Sequence, residues 1–368
     1  MRSRHISRAL VDAEGARRQA DACDAARGPT GPLHGLPIAV KDLTNTRGLR
    51  TTYGSLLFEH HVPEQDELVV ARLRQAGAAI VGKTNTPEFG FCAVCANHLC
   101  GPTRNPFDLA LTSGGSSGGS AVAVATGMAS LAHGTDFGGS VRTPASVCDV
   151  VSIRPTPGRI PAPARPLGWD MLATHGLLAR SVDDLELGLA ACVGSDICDP
   201  LSVGIKPGDE PDVKRPLLAV TPDFGIAPVA NEIRSRFANA CDALSRIADV
   251  EEAAPDCSGA IEAFRTLRAA HVADSYGALL KDRRAELTPT LVWNIEAGGR
   301  LTAQDYLSAE RRRTAIYRSF RDLFARKDFL IAPAASVFQW NNDAGEVTRI
   351  DDLRLETPID YLAVTFIV

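Results

Sequence analysis

Apolar and polar positions alternate along this chain with two periods, and the switches between them predict a succession of helices and strands. Residues 8–27 repeat apolar positions at helical spacing and stop near Gly28. Pro37-Ile-Ala-Val40 is a short apolar run after Gly and Pro, the mark of a buried strand. Residues 66–77 are helical in spacing, and Ala78-Ala-Ile-Val81 reads as the next strand. This strand–helix–strand alternation predicts an α/β fold with helices packed on a sheet. Beyond about residue 200 the balance tips toward helix. Pro216–Val220 and Phe329–Ala332 are strand candidates, and 229–247, 258–281 and 302–326 are helical. The segment 200–325 is expected to be a more helical part inserted on the same sheet, within one domain spanning 1–368. Tyr361-Leu-Ala-Val-Thr-Phe-Ile-Val368 is apolar and β-prone, and reads as a core strand.

Two Gly/Ser tracts interrupt the pattern. Thr112-Ser-Gly-Gly-Ser-Ser-Gly-Gly-Ser120 runs directly into the small, apolar Ala121–Gly127, and Gly134-Thr-Asp-Phe-Gly-Gly-Ser-Val-Arg-Thr-Pro144 lies between two core-like segments. A flexible linker is flanked by polar sequence. Small residues leading into an apolar helix instead imply close backbone packing at a helix start, where N–H groups stand free.

Bulk composition narrows the classes. Of 368 residues, 45% are hydrophobic and 23% charged, which is the profile of a globular protein. The net charge of −5 and the lack of any Lys/Arg run argue against direct nucleic-acid binding. No apolar stretch is long enough for a membrane span, and Met1-Arg-Ser-Arg-His-Ile6 carries no secretory apolar core. With nine cysteines at irregular spacing, a reducing, cytoplasmic setting is expected. Cys92, Cys95 and Cys100, with His98 nearby, lack the second ligand pair of a zinc ribbon and read as core or loop cysteines.

Gly/Ser loops at helix starts and a strand-end lysine raise nucleophilic acyl transfer, which needs an activated nucleophile, a base and donors for the oxyanion. Gly114-Gly-Ser-Ser-Gly118 formally fits a nucleophile elbow, but that fold needs its acid and histidine after the serine. Only His133, His175 and His271 follow Ser116, and His271 lies within a helical segment. Neither tract has the lysine of a phosphate-binding loop or the spacing of a dinucleotide fingerprint, so no cofactor is implied. Lys41 ends the Pro37–Val40 strand. Burial there would favour its neutral, basic form, whereas a surface lysine would only lay its stem along the sheet edge.

Ordered motifs carry a resemblance to a family. Leu33-His-Gly-Leu-Pro-Ile-Ala-Val-Lys-Asp42, Thr51-Thr-Tyr-Gly-Ser55, Gly82-Lys-Thr-Asn-Thr-Pro-Glu-Phe89, Gly101-Pro-Thr-Arg-Asn-Pro106, both Gly/Ser tracts and Arg154-Pro-Thr-Pro-Gly-Arg159 resemble, in order, the amidase signature family. The match is close over 33–184. It implies a central mixed, twisted β-sheet covered by helices on both faces, with a signature core over 28–200. It also implies a Ser-Ser-Lys triad: Ser140 as nucleophile, Ser116 as bridging serine after a cis peptide, and Lys41 as base. Backbone N–H groups of Phe137, Gly138, Gly139 and Ser140 would receive the oxyanion. Ser117, Asp136 and Arg142 would support the site, the last two also readable as a structural pair bracing the loop. Lys83 lies in a matching motif and is the weaker base candidate. The implied activity is cleavage of a small or medium amide without metal or cofactor. The alternatives are a glutamine-hydrolysing subunit of a tRNA-dependent amidotransferase and an inactive, truncated homologue. A homodimer is compatible with either enzyme.

The chain departs from the family at Ser152, Asp149 and Leu177, and Asp149 inside an apolar run would be destabilising if buried unpaired. Family members carry sequence before this start and strands after Val368, so the resemblance suggests a chain cut short at both ends. Residues 160–175 and 200–330, with Tyr53, Trp169 and Trp293, are candidates for the substrate pocket or for ordinary core.

Overall fold

A computed structural model describes residues 10–202 and 214–367. These fall into two units. The first runs up to residue 202 and includes Gln339–Glu346; the second takes the remainder.

The first unit is built on a six-stranded sheet ordered β1-β3-β2-β6-β8-β7. In chain order its elements are β1 (Leu10–Val11), α1 (Ala13–Asp24), β2 (Pro37–Lys41), α2 (Leu68–Gln75), β3 (Ala79–Thr84), the hairpin β4 (Ala96–Asn97) and β5 (Gly101–Pro102), and α3 (Gly118–Ala125). Then come β6 (Leu131–Asp136), α4 (Arg142–Val147), β7 (Val151–Ile153), β8 (Thr174–Ala179) and α5 (Val182–Cys192). Strands β3, β2 and β6 are parallel, and β1, β8 and β7 join antiparallel, which makes the sheet mixed as expected.

Alternation along the strands sends side chains into two cores. Ile38, Val40, Ile80, Leu131, Leu177 and Ala179 meet Val69, Val70 and Leu73 of α2 and Leu185 and Cys192 of α5 on one face. Ala39, Ala132 and Leu178 meet Ala121, Val122 and Val124 of α3 and Ala145 and Val147 of α4 on the other. Helices therefore cover both faces. The second face is made of small residues, so α3 lies close to the strands. At Gly119, an added Cβ would sit 2.5 Å from the Asn85 backbone nitrogen.

Several expectations are corrected. The helix expected over 8–27 begins only at Ala13, capped by the Asp12 carboxylate on Gly15 N–H, and Leu10–Val11 pair with β3; residues 8 and 9 lie outside the described residues. Asp149 is exposed, in a turn with φ 53°, so it incurs no burial penalty. The strands expected to join the main sheet from the 200–325 region form a sheet of their own. In the second unit β9 (Leu217–Val220) is flanked by β10 (Asp249–Glu252) and β11 (Phe329–Ile331), all parallel. Its helices are α6 (Asn231–Leu244), α7 (Ala260–Tyr276), α8 (Leu279–Arg283), α9 (Pro289–Gly299), which the periodicity does not reveal, and α10 (Ala303–Phe324). A short hairpin, β12 (Arg349–Ile350) and β13 (Leu353–Arg354), precedes the end.

The final apolar run is also not a strand. Asp360–Leu362 is a 3-10 turn that leads into α11 (Ala363–Phe366). Winding it as helix puts Ala363, Val364 and Ile367 into one cluster with Phe224, Val229 and Cys257, and stacks Phe366 on Phe264. Packing overrides the β-propensity of the individual residues. Among the described residues no helix is long and apolar enough to cross a membrane.

Leu177 is fully buried on β8, beside Leu131 and Gly188. Leu177→Ala is expected to cost about 2–5 kcal/mol, read as a lower midpoint in chemical denaturation; a change under about 1 kcal/mol would show that the α2/α5 face is loosely packed.

Candidate active site

The carboxyl ends of parallel strands β2 and β6 bring together residues from three stretches of chain. Lys41 is the last residue of β2, Asp136 is the last of β6, and the first Gly/Ser tract delivers Ser116 and Ser117 to the start of α3. In open α/β sheets this end of the strands is where sites form, because loops diverge there.

Lys41 is completely buried. Its Nζ contacts Ser116 Oγ at 2.7 Å, Ser117 Oγ at 2.8 Å, Thr135 Oγ1 at 3.0 Å and the Thr135 carbonyl at 3.2 Å. Burial pulls its pKa from 10.5 down to about 7, with Cys95 and Asp136 pulling weakly the other way. The Gly115–Ser116 peptide is cis. Position 115 admits only glycine, since a Cβ there would fall 2.5 Å from the Cys92 carbonyl oxygen. Ser117 joins two loops: its N–H donates to the Ser140 carbonyl at 3.0 Å, and its hydroxyl donates to the Thr135 carbonyl at 3.3 Å.

Ser140 is half-buried. Backbone, not hydroxyl, ties it to the cluster, and the hydrogen bonds of the described residues include none between the Ser116 and Ser140 hydroxyls. The turn before Ser140 is braced by Asp136, whose carboxylate accepts Gly139 N–H at 2.7 Å and Val141 N–H at 3.1 Å. Arg142 grips the same carboxylate at two points, 3.0 and 3.1 Å, and Arg154 lies 3.6 Å away. Burial alone would raise the Asp136 carboxyl. Arg142 first, then Arg154 and the backbone donors, hold it well below the usual carboxylate range. One expectation is narrowed here. Gly139, counted among the oxyanion donors, already gives its N–H to Asp136 and so acts as part of the brace.

Other candidates lie elsewhere. Lys83 is buried, but its amine faces Thr44 O, Thr46 Oγ1 (2.9 Å) and Thr51 Oγ1 (3.1 Å), with Asp42 at 4.0 Å. Burial lowers it to about 8. His133 and His175 contact each other at 3.0 Å through ring nitrogens, and burial pushes His175 down to about 4. His271 is in α7, in the second unit. None of these arrangements matches a Ser-His triad on Ser116. Cys95 is buried against α3, its thiol donating to the Asn85 carbonyl at 3.3 Å, and burial raises it to about 11. Thr135 is the residue the sequence did not single out. It lies inside the quoted Gly134–Pro144 tract, but nothing local distinguishes it; only the fold points both its hydroxyl and its carbonyl at Lys41.

Comparison with known proteins identifies the family. The model of the Amidase family matches residues 3–368. The chain is 35% identical over 311 residues to an acylamidase of Rhodococcus erythropolis, covering 82% of this chain and 65% of that protein. It is 33% identical over 355 residues to a glutamyl-tRNA(Gln) amidotransferase subunit of Roseiflexus sp. (strain RS-1), covering 88% of this chain and 73% of that one. The crystal structure of a bacterial aryl acylamidase of the amidase signature family superposes with TM-score 0.89 at 26% identity, over 99% of this chain and 80% of that one. A mixed sheet between helical layers, a buried lysine on two serines, and a family match over nearly the whole length converge: this chain belongs to the amidase family.

Proposed function

We propose that the protein hydrolyses a carboxylic amide C–N bond through an acyl-enzyme on Ser140, with Ser116 relaying protons to Lys41. The observation that carries this reading is the environment of Lys41. Its four contacts are neutral oxygens, so burial is not offset by a touching carboxylate, and the neutral amine is accessible near pH 7. A neutral amine has two N–H donors and one lone pair. With the N–H groups directed to Ser117 and Thr135, the lone pair faces the Ser116 hydroxyl.

The reaction then follows. Ser140 Oγ attacks the carbonyl carbon as its proton passes to Ser116, and the Ser116 proton passes to Lys41. The oxyanion is received by backbone N–H groups of the Phe137–Ser140 turn other than that of Gly139, with Asp136 and Arg142 holding that turn in shape. Lys41 returns a proton through Ser116 to the leaving nitrogen, the C–N bond breaks, and water cleaves the ester by the same relay. Contact between the two serine hydroxyls is expected to form with substrate bound, when catalytic hydrogen bonds tighten.

A second reading is that the chain hydrolyses glutamine as part of a larger assembly, favoured by its similarity to glutamyl-tRNA(Gln) amidotransferase subunits. Turnover of simple amides by the isolated chain, with no better turnover of glutamine, supports the first reading; turnover of glutamine alone supports the second.

Three outcomes are expected. A fluorophosphonate probe should modify Ser140, located by peptide mass spectrometry, and Lys41→Ala should abolish labelling; modification at Ser116 would reverse the roles assigned to the two serines. The rate of the chemical step should rise with pH and level off above about 7, because below that pH Lys41 is protonated and cannot accept a proton. A flat profile through this range, with chemistry rate-limiting, would remove Lys41 as the base. Finally, Lys41→Ala should lower kcat by about 10²–10⁴-fold without unfolding the chain, as checked by steady-state kinetics beside circular dichroism.

A further inference from the structure

Two stretches of backbone flank the bridging serine, and one segment far away in the chain grips both. Gln339–Glu346 packs with the first unit, although the residues on either side of it belong to the second. It runs antiparallel to the start of the first Gly/Ser tract. Thr112 N–H donates to the Trp340 carbonyl and Asn342 N–H to the Ala110 carbonyl, each at 2.9 Å, with Leu111 opposite Asn341. Thr112 is fully buried, and its hydroxyl accepts Gly114 N–H at 3.1 Å. The other end of the segment reaches the second stretch, where Glu346 Oε1 accepts Ala93 N–H at 3.4 Å. Burial first, then the charge of the Glu346 carboxylate and a hydrogen bond to it, push the neighbouring Cys92 thiol up. Cys92 and Ala93 lie directly on the residue before Ser116. A Cβ at Gly115 would fall 2.5 Å from the Cys92 carbonyl oxygen and 2.7 Å from that of Ala93. Cys95, further along the same stretch, packs on Gly118, and its field reaches the Lys41 amine.

We infer that Glu346 is a positioning residue, which holds Cys92 and Ala93 against Gly115 and so keeps Ser116 on Lys41 and water away from the amine. The inference rests on the proposed relay. Without the Glu346 acceptor, Ala93 N–H and the Cys92 thiol lose a partner, and the stretch from Cys92 to Cys95 loosens over Lys41. Water entering there stabilises the ammonium form of Lys41. The direction is diagnostic. Removing the field of a carboxylate makes a lysine easier to deprotonate, whereas admitting water makes a buried one harder to deprotonate.

The test measures the rate constant of fluorophosphonate labelling against pH for the wild-type chain, Glu346→Ala and Glu346→Gln, each rate taken on the fraction that labels. The wild-type rate should rise through about pH 7. Glu346→Ala is expected to move this rise up by about one pH unit, and so to slow labelling at pH 7 about fivefold. Glu346→Gln keeps an acceptor for Ala93 N–H and should restore the wild-type profile. Glu346→Asp, one methylene shorter, should shift the rise in the same direction as alanine and stands in if the alanine variant does not fold. A smaller labelled fraction with an unshifted rise makes Glu346 a merely structural residue and overturns the inference. A shift to lower pH, or a glutamine variant as defective as alanine, assigns the effect to charge and also overturns it. In each case the wild-type profile persists and the proposed function stands. A wild-type chain that labels at no serine, or with no rise near pH 7, overturns the relay and this inference with it.

Discussion

An ammonium group shut away from water with only neutral oxygens for company is poorly stabilised, and the site rests on that condition at Lys41. The sheet creates it by ending β2 at Lys41 beneath the start of α3. Because α3 begins with Gly118 and Gly119 and continues through Ala and Val, it approaches the strands closely enough to exclude water. A bulkier helix start would hold Ser116 and Ser117 away from the amine and admit solvent. Lys83 makes the contrast. It too is buried, but it has Asp42 at 4.0 Å and a second carboxylate, Glu67, in its field, and its pKa is lowered less.

Charge is handled differently a few residues away. Asp136 is equally buried, yet two arginines and two backbone N–H groups keep it ionised. Its carboxylate acts as a rigid staple that shapes the turn carrying Ser140. The same end of the sheet therefore holds a lysine whose charged form is disfavoured and a fixed anion, separated by what each touches rather than by depth. Arg142 and Asp136 brace the turn and need not meet a substrate.

The fold class was legible because it depends on periodicity. Strands β2, β3 and β9 and helices α2, α6 and α10 appear within a few residues of their expected places, since their apolar spacing matches their geometry. Failures came where tertiary packing overrules local preference. The run 361–367 is β-prone in composition but wraps as a turn and helix against α7. Pairing partners were equally hidden, because nothing in Leu217–Val220 indicates a second sheet in place of another strand on the first.

By itself, the sequence determined the α/β class and the two Gly/Ser tracts, and its ordered motifs singled out Lys41, Ser116, Ser117, Asp136, Ser140 and Arg142 as candidates through resemblance to a family, because glycine placement and motif order are one-dimensional properties. Tertiary structure alone decided what each of these groups touches. It committed the Gly139 N–H to Asp136, brought Thr135 to Lys41 and sent Lys83 to a separate cluster. The physical reason is that burial and hydrogen-bond partnership arise between segments distant in sequence, and a lysine's character as base or counter-ion follows from those partners rather than from its neighbours in the chain.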